Sequence, residues 1–427
     1  MRKFALPYGR EKLECLIPEA QIAGVLVSGL EAYRPDQDQD ALIEAAMAAP
    51  IGSRPLCELA KGKERVVVIA SDHTRPVPSR LIMPKMLREI RKGNPSADIT
   101  ILIATGCHRG TTPAELNDKF GEEIVKNEKI VVHDCDDEDM LISIGTLPSG
   151  GELKINRLAW EADLLVSEGF IEPHFFAGFS GGRKSVLPGI ASRKSVLANH
   201  CAEFIAHPCA RTGVLENNPI HRDMVWAARQ AKLAFIVNVV LNGDKEVIHA
   251  VAGDCVSAHE AGCSFLFGLC RAKSVNADIA ISTNGGYPLD QNIYQAVKGM
   301  TAAEATVKQG GAIIMIAKSG DGHGGDRFYH QLADEKDIEK TMALFMSRSA
   351  DETEPDQWQT QIMLRILRRA KLYYLSDMPD EMVEKMHMTP IHSVEEGLRM
   401  AQAYLRNPDA KIAVIPDGVA VMVEGSE

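Results

Sequence analysis

Short apolar runs alternate with amphipathic stretches along this chain. Runs rich in Val, Ile and Leu cover 65–70, 99–104, 163–167, 234–240, 277–282, 312–317, 371–375 and 411–416. Each is four to eight residues long, the length of a strand rather than a helix, and predicts a buried strand. The intervening stretches have helical spacing; in 80–91, Leu81, Met86, Leu87 and Ile90 mark one face. This alternation predicts an α/β protein with mainly parallel sheets. The cycle restarts at Ala277, which predicts two α/β domains, 1–272 and 273–407, with 408–427 able to pack back on the first. The polar segment 351–359, broken by Pro355, predicts a loop before a helix over 360–370.

Composition narrows the classes. With 47 Lys and Arg against 58 Asp and Glu, the net charge is −11, which argues against nucleic-acid binding. No apolar run reaches the roughly 18 residues of a membrane span. The start, Met1 to Gly9, breaks off before a signal-peptide core, so a cytoplasmic location is expected. Nine cysteines are scattered without a CxxC pair, and there is no HExxH. A disulfide framework, a structural zinc site and a directly bound metal cluster are therefore not expected.

Ligands of open α/β sheets sit beyond the carboxyl ends of strands, so those segments are the first place to look for chemistry. Ser71-Asp72-His73-Thr74-Arg75-Pro76 reads either as a helix cap or as a carboxylate site built on Arg75. His108, in Gly106-Cys107-His108-Arg109, and His174 both follow strands. Each is either a hydrogen-bonded loop histidine or a proton-transfer group, and a pair on opposite sides of a substrate is what a racemase needs. The stretch Glu172 to Ile190 joins a histidine, aromatics and glycines to Arg183-Lys184. It reads as a ligand loop turning N–H groups and two cations toward an anion, or as a structural turn. His200 reads as a core or surface histidine on a helix, while Gln295 and Lys298 share a helical face. The glycine-rich 319–326 is a lid, a phosphate cradle or a plain connection, and the acidic run 134–139 is a solvated loop.

Taken together, Ser71 to Pro76, Gly106-x-His108-Arg109, Glu172-Pro173-His174-x-Phe176-Ala177-Gly178-Phe179-Ser180-Gly181-Gly182-Arg183-Lys184 and Tyr294-Gln295-x-x-Lys298 resemble the nickel-dependent lactate racemase family. The resemblance implies two α/β domains with an interdomain active-site cleft. It also implies a nickel(II) pyridinium-3,5-bisthiocarboxylic acid mononucleotide, the nickel-pincer nucleotide, attached through Lys184, with His200 as the protein's metal ligand. It makes His108 and His174 the acid/base pair and Asp72, His73, Thr74 and Arg75 a cofactor-binding segment. Arg75, Tyr294, Gln295, Lys298 and Trp358 become substrate contacts. The implied reaction interconverts D- and L-2-hydroxy acids by hydride transfer through a 2-keto acid, with cofactor-making enzymes as loading partners. Two rivals remain: a two-domain small-anion binding protein without catalysis, and a histidine-dependent metallohydrolase. Cys107 carries no assigned role.

Overall fold

The computed structural model describes residues 1–424, and the chain divides into two compact units. One spans Leu30–Gly268 with Ala350–Glu352; the other joins Met1–Gly29, Leu269–Ser349 and the residues from Thr353 onward.

The Leu30–Gly268 unit is built on a six-stranded sheet. Across it lie Val247–Gly253, Leu233–Leu241, Leu164–Phe170, Arg65–Ser71, Asp98–Ala104 and Lys129–Val132. All neighbours run parallel except Val247–Gly253, which returns antiparallel beside Leu233–Leu241. In order of appearance the strands read 6-5-4-1-2-3, so the connections reverse direction between the first strand, Arg65–Ser71, and the fourth, Leu164–Phe170. Ligands of doubly wound sheets settle at that reversal. The central strands bury both faces: Val66, Val68, Ala70, Ile101, Ile103 and Val166 join one core. The helix Ser79–Gly93 adds Ile82, Met83, Met86, Leu87 and Ile90, each stabilising the unit by about 1.5–3 kcal/mol through apolar burial. Leu81, expected on that face, is only partly buried, because the core-facing stripe is centred on Ile82, Met86 and Ile90.

The other unit has its own sheet, all parallel: Thr389–Ile391, Ala370–Leu375, Val307–Ile316, Ala277–Thr283, Ile412–Ile415 and Ile22–Val25. This corrects the expected division. The first 29 residues do not belong to an N-terminal domain, and 411–416 does not return to one. Ile412, Ala413 and Val414 pair with Ile279, Ala280 and Ile281, and Ile22–Val25 adds beyond them as the edge. The hairpin Arg2–Tyr8 with Glu11–Ile17 packs Phe4, Leu6, Cys15 and Ile17 onto this sheet's core. A four-residue edge strand carries no periodicity that names its partner, and a pairing this remote in sequence is decided by the sheet. The expected loop 351–359 is also shorter than predicted: the helix Gln357–Arg369 already contains Trp358.

Candidate active site

In the Leu30–Gly268 unit, three adjacent strands deliver the motifs to one edge of the sheet. Asp72 follows Arg65–Ser71, His108 follows Asp98–Ala104, and His174 follows Leu164–Phe170. Asp72 is 1% exposed, with its Oδ1 accepting from the Thr74 N–H at 3.1 Å and the Thr74 hydroxyl at 2.7 Å. Its Oδ2 lies 2.7 Å from His108 Nδ1. Burial pushes this carboxyl up, but hydrogen bonds from His108 and Thr74, with the charges of His108 and Arg75, bring it below the ordinary carboxylate value. An ionised carboxylate only accepts, so Nδ1 of His108 carries a proton, and whenever the ring is neutral its lone pair is on Nε2. The adjoining His73 places Nδ1 3.1 Å from the Thr111 hydroxyl, while Thr74 and Arg75 are exposed.

The long glycine motif folds into a short ladder, Pro173–His174 against Gly178–Phe179, followed by a single 3-10 turn, Gly182–Ser185. Its glycines are required. Gly178 has φ +78° and a Cβ there would stand 2.4 Å from the Val214 carbonyl; Gly182 has φ +55° with the His259 ring 2.6 Å from its Cβ position. The Ala177 N–H stands 3.3 Å from His174 Nδ1, and the charged Lys184 Nζ, which only donates, stands 3.2 Å from its Nε2. Lys184 Nζ also lies 5.8 Å from the centre of the Phe176 ring. His174 and His200 each meet that ring edge-on, at 4.5 Å and 5.0 Å.

His200 caps the helix Arg193–Asn199 and is 5% exposed. Its Nδ1–H donates to the Val196 carbonyl at 2.9 Å, so Nε2 is the lone-pair nitrogen. Burial, reinforced by the Lys184 charge, lowers its pKa to about 3 and keeps the ring neutral. Two clusters thus form, Asp72 with His108 and His174 with Lys184, Phe176 and His200. The Gly106 N–H on the Gly189 carbonyl at 2.9 Å ties their loops together.

Arg183 behaves differently from Lys184. The reading of both as cations turned toward an anion is corrected for Arg183, which is fully buried and points into the protein. Its guanidinium donates to the Ala177 carbonyl at 2.7 Å and lies 2.8 Å from His259 Nε2. Burial lowers its pKa to about 10. It serves as the internal strut of the loop.

Two groups, Lys119 and Glu168, were given no role from the sequence. Lys119, on the helix Pro113–Phe120, donates to the Ser71 hydroxyl at 3.1 Å; burial lowers its pKa, while Glu168 and Asp72 attract its charge. Glu168 is 3% exposed and accepts from the Ser79 hydroxyl; burial raises its pKa. Neither sits in a motif. Only the sheet brings a lysine from one helix and a carboxyl from the central strand beneath the Asp72 turn.

In the other unit, Asn292 caps the helix Ile293–Glu304 by accepting the Gln295 N–H at 2.9 Å. Tyr294, Gln295 and Lys298 lie on its partly exposed side, opposite the buried Ala296, Val297 and Met300. The Tyr294 hydroxyl donates to Asp356 Oδ1 at 3.2 Å, and the Trp358 side chain hydrogen-bonds to Tyr294. The glycine-rich 319–326 is a packed connection. Its Gly322 and His323 carbonyls accept the Ile293 and Tyr294 N–H groups, and Ser319 bonds Tyr374 at 2.6 Å.

Among the described residues, the set of close metal-ligating groups is Asp134, Cys135 and Asp136, with Asp136 held by Arg193 at 2.6 Å. This is not the histidine cluster that a metallohydrolase would need. Among those residues no helix is long and apolar enough to cross a membrane.

Comparison with known proteins gives the family and the fold. The lactate racemase N-terminal domain model matches residues 8–213, and the lactate racemase C-terminal domain model matches 272–423. A lactate racemase from Thermoanaerobacterium thermosaccharolyticum is 54% identical over 424 residues, 99% of each chain. One from Lactiplantibacillus plantarum is 53% identical over 421 residues, 98% of this chain and 99% of that protein. The solved lactate racemase apoprotein from T. thermosaccharolyticum superposes with a TM-score of 0.95 at 53% identity, covering 99% of this chain and 100% of its own. A Thermotoga maritima structure, 19% identical with a TM-score of 0.64, covers 93% of this chain and all of its own, and shares the fold. With both domain models matched in order and relatives above 50% identity along nearly its whole length, the chain belongs to the lactate racemase family.

Proposed function

We propose that this chain is an isomerase of the lactate racemase type, interconverting D- and L-2-hydroxy acids, with lactate the first substrate to test. The arrangement of Lys184, His174 and His200 around Phe176 carries the proposal. The C2 proton of a 2-hydroxy acid is not acidic, because the neighbouring carboxylate is already an anion. Hydride removal to a planar 2-keto acid avoids the dianion-like species.

The residues fit the nickel-pincer nucleotide. His200 is kept neutral with its lone pair on Nε2, the form a metal accepts, and Lys184 supplies an amine in the same cluster for covalent attachment. When bound, that group supplies the acceptor for the C2 hydride. Asp72, His73, Thr74 and Arg75 form the segment proposed to hold its nucleotide part.

Proton handling falls to the two histidines. His108, with Nδ1–H on Asp72, presents the Nε2 lone pair and takes the hydroxyl proton. His174 is the opposite histidine, and it hydrogen-bonds the new alkoxide on the other face or, as imidazolium, supplies its proton. The reverse reaction exchanges the roles of the two rings. Arg75, Tyr294, Gln295, Lys298 and Trp358 remain the proposed substrate contacts, with the cations pairing the carboxylate. Cofactor-making enzymes are the proposed loading partners.

The test is coexpression with those enzymes, followed by a chirality-resolved assay over a panel of 2-hydroxy acids. Single enantiomers are expected to become racemic. Intact-mass measurement is expected to show an adduct that Lys184→Ala lacks. Full racemase activity in Lys184→Ala would overturn the covalent attachment.

A further inference from the structure

The parallel strands Asp98–Ala104 and Lys129–Val132 pair Ile103 with Val132, and their chains continue side by side beyond the sheet. The His133 N–H donates to the Ile103 carbonyl at 3.1 Å, and the Thr105 hydroxyl donates to the His133 carbonyl at 2.6 Å. This stitching brings Cys107, next to His108, into side-chain hydrogen-bond contact with Cys135. Both are free thiols, Cys107 partly exposed and Cys135 5% exposed. Arg193 stands over the pair. Its N–H donates to the Cys135 carbonyl at 3.1 Å, and its guanidinium grips Asp136 at 2.8 Å and 2.6 Å.

We infer that Cys107 and Cys135 are a reversible redox pair that closes to a disulfide under a peroxide and, by moving the loop of His108, switches turnover off. The two thiols differ in exposure, Cys107 partly open to solvent and Cys135 buried. The hydrogen bond with Cys135 lowers the Cys107 pKa against burial, helped by the Arg193 charge, whereas the same contact and burial raise that of Cys135. Cys107, the thiol that peroxide can reach from solvent, is the attacking thiolate, and the buried Cys135 is the resolving thiol. The Cys107 thiolate takes one oxygen from hydrogen peroxide, releasing hydroxide and leaving a sulfenic acid. The Cys135 sulfur displaces that hydroxyl, the S–S bond forms and water leaves. In total two thiols and one peroxide give one disulfide and two waters.

Drawing two sulfurs from a hydrogen-bond contact to a covalent bond of about 2.05 Å pulls Cys107 toward Cys135. The turn cannot absorb this alone, because the Gly106 N–H is held by Gly189 and the His108 N–H by the Thr105 carbonyl at 3.0 Å. The effect on turnover rests on His108 being an acid/base group; formation of the bond does not.

The first arm uses the chain purified without cofactor, treated with a few equivalents of hydrogen peroxide, then alkylated and peptide-mapped. A linked peptide containing Cys107 and Cys135 is expected, two hydrogens lighter and released by a thiol reductant, and absent in Cys135→Ser. If both thiols stay alkylatable, or Cys107 proceeds to a sulfonate, the pair is refuted. The second arm uses the loaded enzyme, where turnover is expected to fall in step with the linked fraction and return on reduction. Cys135→Ser should keep basal activity and resist peroxide, with Cys135→Ala standing in if the serine variant does not fold. Parallel inactivation of wild type and variant would place the damage in the cofactor and overturn the switch. A linked pair with undiminished turnover would refute the switch and speak against the role given to His108.

Discussion

Replacing Asp72 with Asn changes one atom of a buried side chain but leaves it with an unsolvable choice. The carboxylate accepts on both sides, from Thr74 through Oδ1 at 3.1 Å and 2.7 Å and from His108 through Oδ2 at 2.7 Å. An amide has one acceptor. Facing its oxygen to Thr74, whose backbone N–H cannot turn, sets the NH2 against His108 Nδ1 and forces the ring proton to Nε2. The base then loses its lone pair. Facing it the other way buries donor against donor. A hydrogen bond to a charged group is worth about 1.5–3 kcal/mol, and a buried unmatched donor costs about 1–3 kcal/mol. The His108 side chain is 45% exposed, which argues for the lower half of both ranges. The two orientations are alternatives, so one cost applies, about 2 kcal/mol, which corresponds to a turnover roughly 30-fold lower in Asp72→Asn. Chirality-resolved kinetics measures this in the loaded enzyme. Nitrogen-15 NMR of the chain without cofactor reads the His108 tautomer independently, and the proton is expected to move from Nδ1 to Nε2. Wild-type turnover together with an unchanged tautomer would refute the argument.

Three further substitutions follow from the same contacts. Gly178→Ala meets both a positive φ and the Val214 carbonyl at 2.4 Å, so urea unfolding should show a loss of about 2–5 kcal/mol. A loss within the error of the titration would mean that the ladder relaxes freely. Arg183→Lys keeps the charge but one nitrogen cannot reach the Ala177 carbonyl and His259 together, and about 3 kcal/mol of stability should disappear. Burial raises the Glu168 pKa, while the unfolded carboxyl ionises at about pH 4.3, so its contribution is complete below about pH 4.3 and is lost as pH rises through its raised value. Thermal melts of Glu168→Gln should therefore gain on wild type from pH 4 to pH 8, and parallel pH curves would show that the carboxyl is not buried as described.

Strand periodicity was legible because buried parallel strands must be apolar on both faces. All eight apolar runs form strands, and the helix over Ser79–Gly93 stands where its stripe placed it. The motifs were legible for a different reason. Glycines at positive φ, such as Gly178 and Gly182, cannot be exchanged without collision, so the loop bears a signature in residue type. Lys119 and Glu168 have no such signature, since a lysine in a helix and a glutamate in a strand are ordinary until burial shifts their proton affinity. The acidic run around Cys135 read as solvated because all five of its carboxylates are exposed; the thiol among them is buried, which no composition reports.

Local sequence alone determined the elements, the order of the loops and the residue types carried at the strand ends. Tertiary structure decided that His108 Nδ1 faces Asp72, that Arg183 points inward while Lys184 joins His174, and that Ile22–Val25 and Ile412–Ile415 share one sheet. The physical reason is range. Apolar periodicity and glycine conformation act within a few residues, whereas hydrogen-bond partners, desolvation and strand register depend on groups that only the folded chain brings together.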